Sequence, residues 1–145
     1  MRRLRSWIGP GRWLASASLV VLALVASGCG EEEDTRPARW SYIYPTLIQP
    51  ACNTSGCHAK HTATFGFQLD TPEGAYIDLV GGMFGGPNQP FPPQSYVKPG
   101  RPDESRLLYL LRGENVAYRM PPDGPLPEAD IALIEKWILA GAKND

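Results

Sequence analysis

The pattern of apolar and polar positions predicts a helix near the end of the chain. In residues 126–142, LPEADIALIEKWILAGA, apolar side chains recur three and four positions apart and would share one helix face. These side chains are Ile131, Ile134, Trp137 and Ile138. Pro127 suits the first turn of such a helix, Glu128 and Asp130 suit its positive end, and Gly141 suits its termination.

Three shorter helices are predicted upstream. The first covers RWSYIYPTLIQPAC, residues 39–52, where Pro45 indicates a bend because it lacks a backbone donor. The second lies in LDTPEGAYIDLVGG, residues 69–82, and begins after Thr71 as its N-cap. The third lies in PDESRLLYLLRG, residues 102–113, where four leucines form an apolar face and a glycine ends the helix.

A long loop is expected between the second and third helices. Residues 81–102, GGMFGGPNQPFPPQSYVKPGRP, are too rich in glycine and proline for a helix or a central strand, and no other segment reads as a strand. The predicted fold class is therefore all-α, a small helical domain with long loops. Four short helices form a small core for about a hundred residues, and a buried cofactor would supply the missing apolar volume.

The first residues have the order of an export signal. Arginines are followed by an apolar run and then by small residues up to Gly28, and the run is shorter than the roughly 20 residues of a membrane-spanning helix. The small residues before Cys29 resemble a bacterial lipobox, which implies a lipid on that cysteine. We therefore divide the chain into a signal peptide of lipoprotein type (1–28), a flexible acidic tether (29–38) and a domain (39–145). An uncleaved anchor or an ordinary cleaved signal are the alternatives.

Composition then limits the partners. Cleavage before Cys29 would leave 117 residues with ten basic and fifteen acidic side chains, a net charge of −5. No basic stripe is present in the remainder, so nucleic acid is not an expected partner. Three cysteines would leave an odd thiol in an exported protein, but lipid on Cys29 leaves a pair, Cys52 and Cys57.

The stretch ACNTSGCHAKH, residues 51–61, concentrates Cys52, Cys57 and both histidines of the chain. A disulfide is feasible in an oxidising compartment. The two cysteines could also bind zinc together with His58 and His61. However, the thiols of an exported protein are not readily kept in the reduced state that zinc binding requires. The third possibility is a haem joined to both thiols, with the adjacent imidazole as an iron ligand. The usual spacing for that chemistry is Cys-x-x-Cys-His, and here four residues separate the thiols.

A second iron ligand would have to come from elsewhere. A thioether on the opposite haem face raises the reduction potential, and Met120 precedes two prolines on a stiff segment. Met83 is the other methionine of the mature chain, and we expect it not to bind iron. His61 lies too close in sequence to His58 to reach the opposite face and is expected on the surface.

Three segments together resemble one protein family. SGCH, VKPGRPDESRLLYLL and MPPDGPLPEADIALIEKWILAGA are similar to segments of the class I c-type cytochrome domains of bacterial lipoproteins, over roughly residues 40–143. The resemblance implies a cytochrome c-like helical domain around one covalent haem c. It also implies that Cys52 and Cys57 hold the haem, that His58 is the proximal ligand and that Met120 is the distal ligand.

The sequence thus predicts a lipid-anchored, monohaem c-type cytochrome that transfers single electrons and is not an enzyme. It would face the periplasm and would meet redox proteins transiently. Resemblance to known lipoprotein sorting rules favours the outer membrane, because Gly30 stands where an aspartate commonly retains lipoproteins at the inner membrane. Two alternatives stay open. One is a haem sensor or catalytic haem domain with an open distal site, and the other is a haem-free, disulfide-containing interaction module.

Overall fold

The predicted helices are present in the computed structural model, which describes residues 33–84 and 94–145. The described residues between Glu33 and Asp145 belong to one compact unit, and their regular secondary structure is mainly helical with very little strand, which confirms an all-α class. The predicted signal peptide, residues 1–28, and the candidate lipidation site Cys29 lie outside the described residues.

The first helical segment leads directly to the cysteines. It consists of α1 (Trp40–Ile43), a π-helical turn (Tyr44–Ile48) and α2 (Gln49–Cys52), which follow one another without a break. Pro45 lies in the π-helical turn, where a missing donor is tolerated because the regular hydrogen-bond pattern is already interrupted. The irregularity expected at this proline therefore takes the form of a wider turn.

The second segment begins as predicted. Helix α3 (Pro72–Tyr76) continues into a π-helical turn (Ile77–Gly81), and the Thr71 hydroxyl oxygen accepts a hydrogen bond from the Gly74 backbone N–H at 3.1 Å. This is the side-chain cap that the sequence indicated, because it satisfies a donor with no partner in the first turn.

The last two helices also end where glycine was expected to end them. Helix α4 (Arg106–Arg112) is followed by Gly113 at φ 72°, and α5 (Glu128–Leu139) is followed within two residues by Gly141 at φ 100°. Both glycines adopt left-handed conformations that other residues rarely accept.

The long loop departs from the prediction of no strand. Its two ends pair as a short antiparallel ribbon, β1 (Met83–Phe84) with β2 (Gln94–Ser95), in which Met83 lies opposite Ser95. Two residues on each side are too few for an alternating pattern, so the sequence carried no signal for them. The 3₁₀ turn Thr64–Gly66 was likewise not predicted, and the first residues of the segment predicted as the third helix form a separate 3₁₀ turn, Pro102–Glu104, before α4.

The core joins the first and last helices. The indole rings of Trp40 and Trp137 stack with centroids 5.2 Å apart, and each indole N–H donates to a backbone carbonyl at 2.9 Å. The apolar face predicted for α5 is buried, as are the leucines of α4. Burial of this set stabilises the fold by removing large apolar side chains from water.

Residues just before α1 contact the domain. Arg36 forms ion pairs with Asp34, at 2.7 Å, and with Asp130 in the first turn of α5. The Arg36 guanidinium lowers the pKa of Asp34 to about 2, mainly by hydrogen bonding to its carboxylate. Within residues 33–84 and 94–145, no helix has the length and apolar character needed to span a membrane.

Candidate haem-attachment site

Cys52 is the last residue of α2, and the helix holds it against the core. Its side chain is half-buried and packs on the main apolar cluster. Burial, with a smaller contribution from the neighbouring Cys57, raises the pKa of the Cys52 thiol to about 11. Both Cys52 and Cys57 are free thiols, so neither is in a disulfide in this structure.

The four-residue spacer between the thiols folds back on itself. The Cys57 N–H donates to the Thr54 carbonyl at 2.9 Å, and the His58 N–H donates to the Cys52 carbonyl at 3.3 Å. From outside the spacer, the Thr62 hydroxyl donates to the Ser55 carbonyl at 2.9 Å. The two residues beyond the usual spacing are therefore accommodated in a closed turn of the backbone. The peptide group that joins Cys57 to His58 lies next to the end of α2.

The imidazole of His58 is oriented by residues farther along the chain. Its Nδ1 lies 3.3 Å from the Phe67 carbonyl oxygen, and its ring meets the Phe67 ring edge to face with centroids 5.5 Å apart. The Leu69 N–H also donates to the His58 carbonyl at 2.9 Å. Because a carbonyl oxygen can only accept, this contact favours the tautomer with the proton on Nδ1, which leaves the lone pair of Nε2 for a metal.

Thr64 fixes the peptide next to this histidine. The Cys57 carbonyl accepts two hydrogen bonds from it, one from the hydroxyl at 2.8 Å and one from the backbone N–H at 3.2 Å. The preceding residue, Ala63, has φ 38° in the left-handed region, which turns the chain so that both donors point the same way. Thr64 and Phe67 were not among the residues that sequence reasoning selected.

An aromatic pair extends the site towards the long loop. The rings of Phe67 and Tyr96 lie 4.7 Å apart, and burial raises the pKa of the Tyr96 phenol. The backbone of Tyr96 connects the ribbon to α4, since its N–H donates to Gly82 at 3.3 Å and its carbonyl accepts from Leu107 at 2.8 Å. The wall beside His58 is thus continuous with the core.

Met120 is half-buried and is fixed through its backbone, because its N–H donates to the Leu110 carbonyl of α4 at 2.8 Å. No hydrogen bond of the described residues joins it to the segment 52–58. Met83 is 53% exposed, and its sulfur accepts a weak hydrogen bond from the Ser95 hydroxyl at 3.6 Å. His61 is exposed, as expected for a surface histidine.

The donor set suits haem attachment. In the part of the chain that the structure describes, no three His, Cys, Asp or Glu side chains gather as they would to hold a metal ion, so the four residues considered for zinc do not converge. A c-type haem needs something different: two free thiols and one imidazole with a free Nε2. Cys52, Cys57 and His58 provide those groups within seven residues.

No family model, no curated protein and no solved structure matches this chain. The structure itself establishes the helical class.

Proposed function

We propose that the protein is an exported, lipid-anchored, monohaem c-type cytochrome that carries one electron at a time and catalyses no reaction of its own. The observation that carries the proposal is the hydrogen bond from His58 Nδ1 to the Phe67 carbonyl at 3.3 Å, beside two free thiols. A backbone carbonyl on the far nitrogen is the support that metal-binding histidines commonly have, because it fixes the ring and raises the basicity of Nε2.

Cys52 and Cys57 would hold the haem through thioether bonds. Each thiol would add across one vinyl group, with the sulfur joining one carbon and the hydrogen going to the other, so that no oxidant is consumed. The closed turn of the spacer keeps the backbone after Cys57 next to Cys52, which compensates for the extra two residues. Export matters because the thiols must meet the haem outside the cytoplasm.

His58 would be the proximal ligand through Nε2, and Met120 would be the distal ligand through its thioether. Bound haem iron supplies the one-electron chemistry, and a His/Met ligand pair favours a high potential. The chain's own contribution is orientation and exclusion of water: Phe67 and Tyr96 form an apolar wall, and the backbone bond to α4 holds the Met120 segment. With His58 and Met120 both held on the haem, no site would be left for a substrate.

The proposed lipid anchor and the net charge indicate where the protein would lie and which kind of partner it would meet. A lipid on Cys29 would hold the mature protein on the periplasmic side of a membrane, with the outer membrane favoured. Electron-transfer encounters are small and brief, and the net charge of −5 after cleavage would favour a basic redox protein.

The experiment is export of the full chain in a host with a cytochrome c maturation system, followed by haem staining after denaturing electrophoresis. Wild type should stain. Cys52→Ser together with Cys57→Ser should abolish the stain, and His58→Ala should abolish or strongly reduce it. His61→Ala is the matched control, since it removes an exposed imidazole three residues away and should leave the stain unchanged.

The same material separates the alternatives. Unstained wild-type protein with Cys52 joined to Cys57 would refute the cytochrome and support a haem-free interaction module. Stained protein that binds carbon monoxide without denaturation would refute Met120 as a ligand and support a sensor or catalytic haem domain with an open distal face.

A further inference from the structure

Helix α5 carries a small exposed surface that combines an apolar side chain with a cation. Leu139 is 64% exposed, and Lys136 and Ala140 are exposed as well. Residues three and four positions apart are neighbours on a helix surface, so Lys136 lies next to both of the others. Within residues 33–84 and 94–145, no ion pair involves Lys136. We call Lys136, Leu139 and Ala140 the α5 patch.

The chain enters the domain along the same helix. Arg36 forms ion pairs with Asp34, at 2.7 Å, and with Asp130 in the first turn of α5. These three side chains are only 17% to 31% exposed, so salt screens their pairing less than that of fully exposed charges. Ala38 also packs against the core. Residues 34–38 are therefore held on the domain.

Asp34, at the start of this held segment, lies near the α5 patch. Its pKa is lowered to about 2, mainly by hydrogen bonds from Arg36, and the positive charge of Lys136 contributes a small part of the lowering. On the helix itself, Asp130 and Lys136 are six positions apart, about 9 Å along the axis. The ion pair with Asp130 and the charge of Lys136 thus place the start of the held segment alongside α5.

The chain between the candidate lipidation site and this point is short. Cys29 precedes Glu33 by four residues, so an extended chain would keep a lipid on Cys29 within roughly 14 Å of Glu33. A tether that was free as far as residue 38 would allow about 32 Å. The Arg36 ion pairs therefore remove more than half of the reach that the sequence alone would permit.

We propose that the α5 patch rests on the phospholipid surface into which the lipid of Cys29 is inserted. The inference rests on the proposed function, since it requires that lipid. Leu139 would enter the boundary between headgroups and acyl chains, Ala140 would let the helix approach closely, and the Lys136 ammonium would bind headgroup phosphate. Arg36 would fix this orientation, because its ion pairs hold the chain on α5.

The test is photo-cross-linking of the lipidated full chain in vesicles of phosphatidylethanolamine and phosphatidylglycerol. The vesicles contain a phospholipid with a photoactivatable headgroup, and mass spectrometry maps the cross-linked peptides. The tether peptide is the internal control, since any protein lipidated on Cys29 brings it to the headgroups. We expect cross-links on the tether and on residues 136–140, and none on the peptide that carries Lys60, another exposed lysine.

Variants test the role of the held segment. Arg36→Gln should reduce the cross-links on residues 136–140 several-fold while those on the tether remain. Asp130→Asn breaks the same contact from the side of α5 and should reproduce that result, so it decides the matter if Arg36→Gln does not fold. Arg101→Gln removes a guanidinium that is paired with Asp103, away from this contact, and should match wild type.

Cross-links on the tether without any on residues 136–140 would overturn the inference and leave the lipid anchor in place. A carbodiimide cross-link from Lys136 to the acidic residues 31–33 would overturn it as well, because the tether itself would then occupy the patch. Wild-type cross-linking on residues 136–140 in both Arg36→Gln and Asp130→Asn would overturn the role of Arg36. An intact mass without lipid on Cys29 would overturn the anchor of the proposed function and this inference with it, so the two failures are distinguishable.

Discussion

Replacement of Thr64 by valine tests whether the loop from Cys57 to Leu69 is organised as described. Valine keeps the branched shape and removes the hydroxyl that donates to the Cys57 carbonyl at 2.8 Å, whereas the backbone N–H at 3.2 Å remains. The carbonyl is not orphaned, so the loss should be that of one ordinary hydrogen bond, about 1 kcal/mol. For a unit of about 110 residues this lowers the midpoint of thermal unfolding by roughly 4 °C.

The assay is thermal unfolding of the exported protein followed by circular dichroism, with two comparisons. Thr64→Ser retains a hydroxyl and should recover most of the loss. Thr46→Val removes an exposed threonine hydroxyl that also donates to a backbone carbonyl, that of Tyr42, and should stay within about 0.5 kcal/mol of wild type. Equal midpoints for Thr64→Val and Thr46→Val would show that the Thr64 hydroxyl does not hold the loop.

Three further outcomes are expected. In haem-free protein, Cys52 should alkylate slowly near neutral pH and faster as the pH approaches about 11. Because its pKa in the folded protein exceeds the ordinary value of 9.0, the contribution of the protonated thiol to the free energy of unfolding is complete below about pH 9 and declines above it. Mass spectrometry of the Cys52 peptide measures the rate of alkylation in folded and in urea-unfolded protein. Equal rates in the two states would contradict the expected protection of the thiol. Ile134→Ala, fully buried, should lower the unfolding free energy by about 2–5 kcal/mol in urea titrations, whereas Leu139→Ala, 64% exposed, should change it by less than about 0.5 kcal/mol. Met120→Ala should remove the methionine-to-iron absorption band while the haem stays attached; Met83→Ala should retain the band, and a band that survives in Met120→Ala would remove that residue from the ligand set.

The helices could be predicted because their signals are local. Thr71 caps α3 through a bond to the residue three positions later, Gly113 ends α4, and the apolar spacing of α5 places its buried face within a single helix. Each of these features depends on neighbours within a few residues, which is the range over which a sequence pattern carries information.

The groups that orient the candidate site could not be predicted, because they lie far along the chain from the residues they contact. The Phe67 carbonyl that faces His58 is a backbone group, which any residue would provide, and it reaches the ring only because the chain turns between them. Thr64 acts through the same turn, and Tyr96 meets Phe67 from 29 positions farther along. The chemistry-bearing residues were visible in the sequence, but the groups that orient them depend on the path of the backbone.

The most direct measurement is mass spectrometry of the mature, exported protein and of its proteolytic peptide that contains Cys52 and Cys57. The account predicts a mass increase of one haem on that peptide, with both thiols resistant to alkylation because they are thioethers. An unmodified peptide, with the thiols free or joined as a disulfide, would contradict the proposed function.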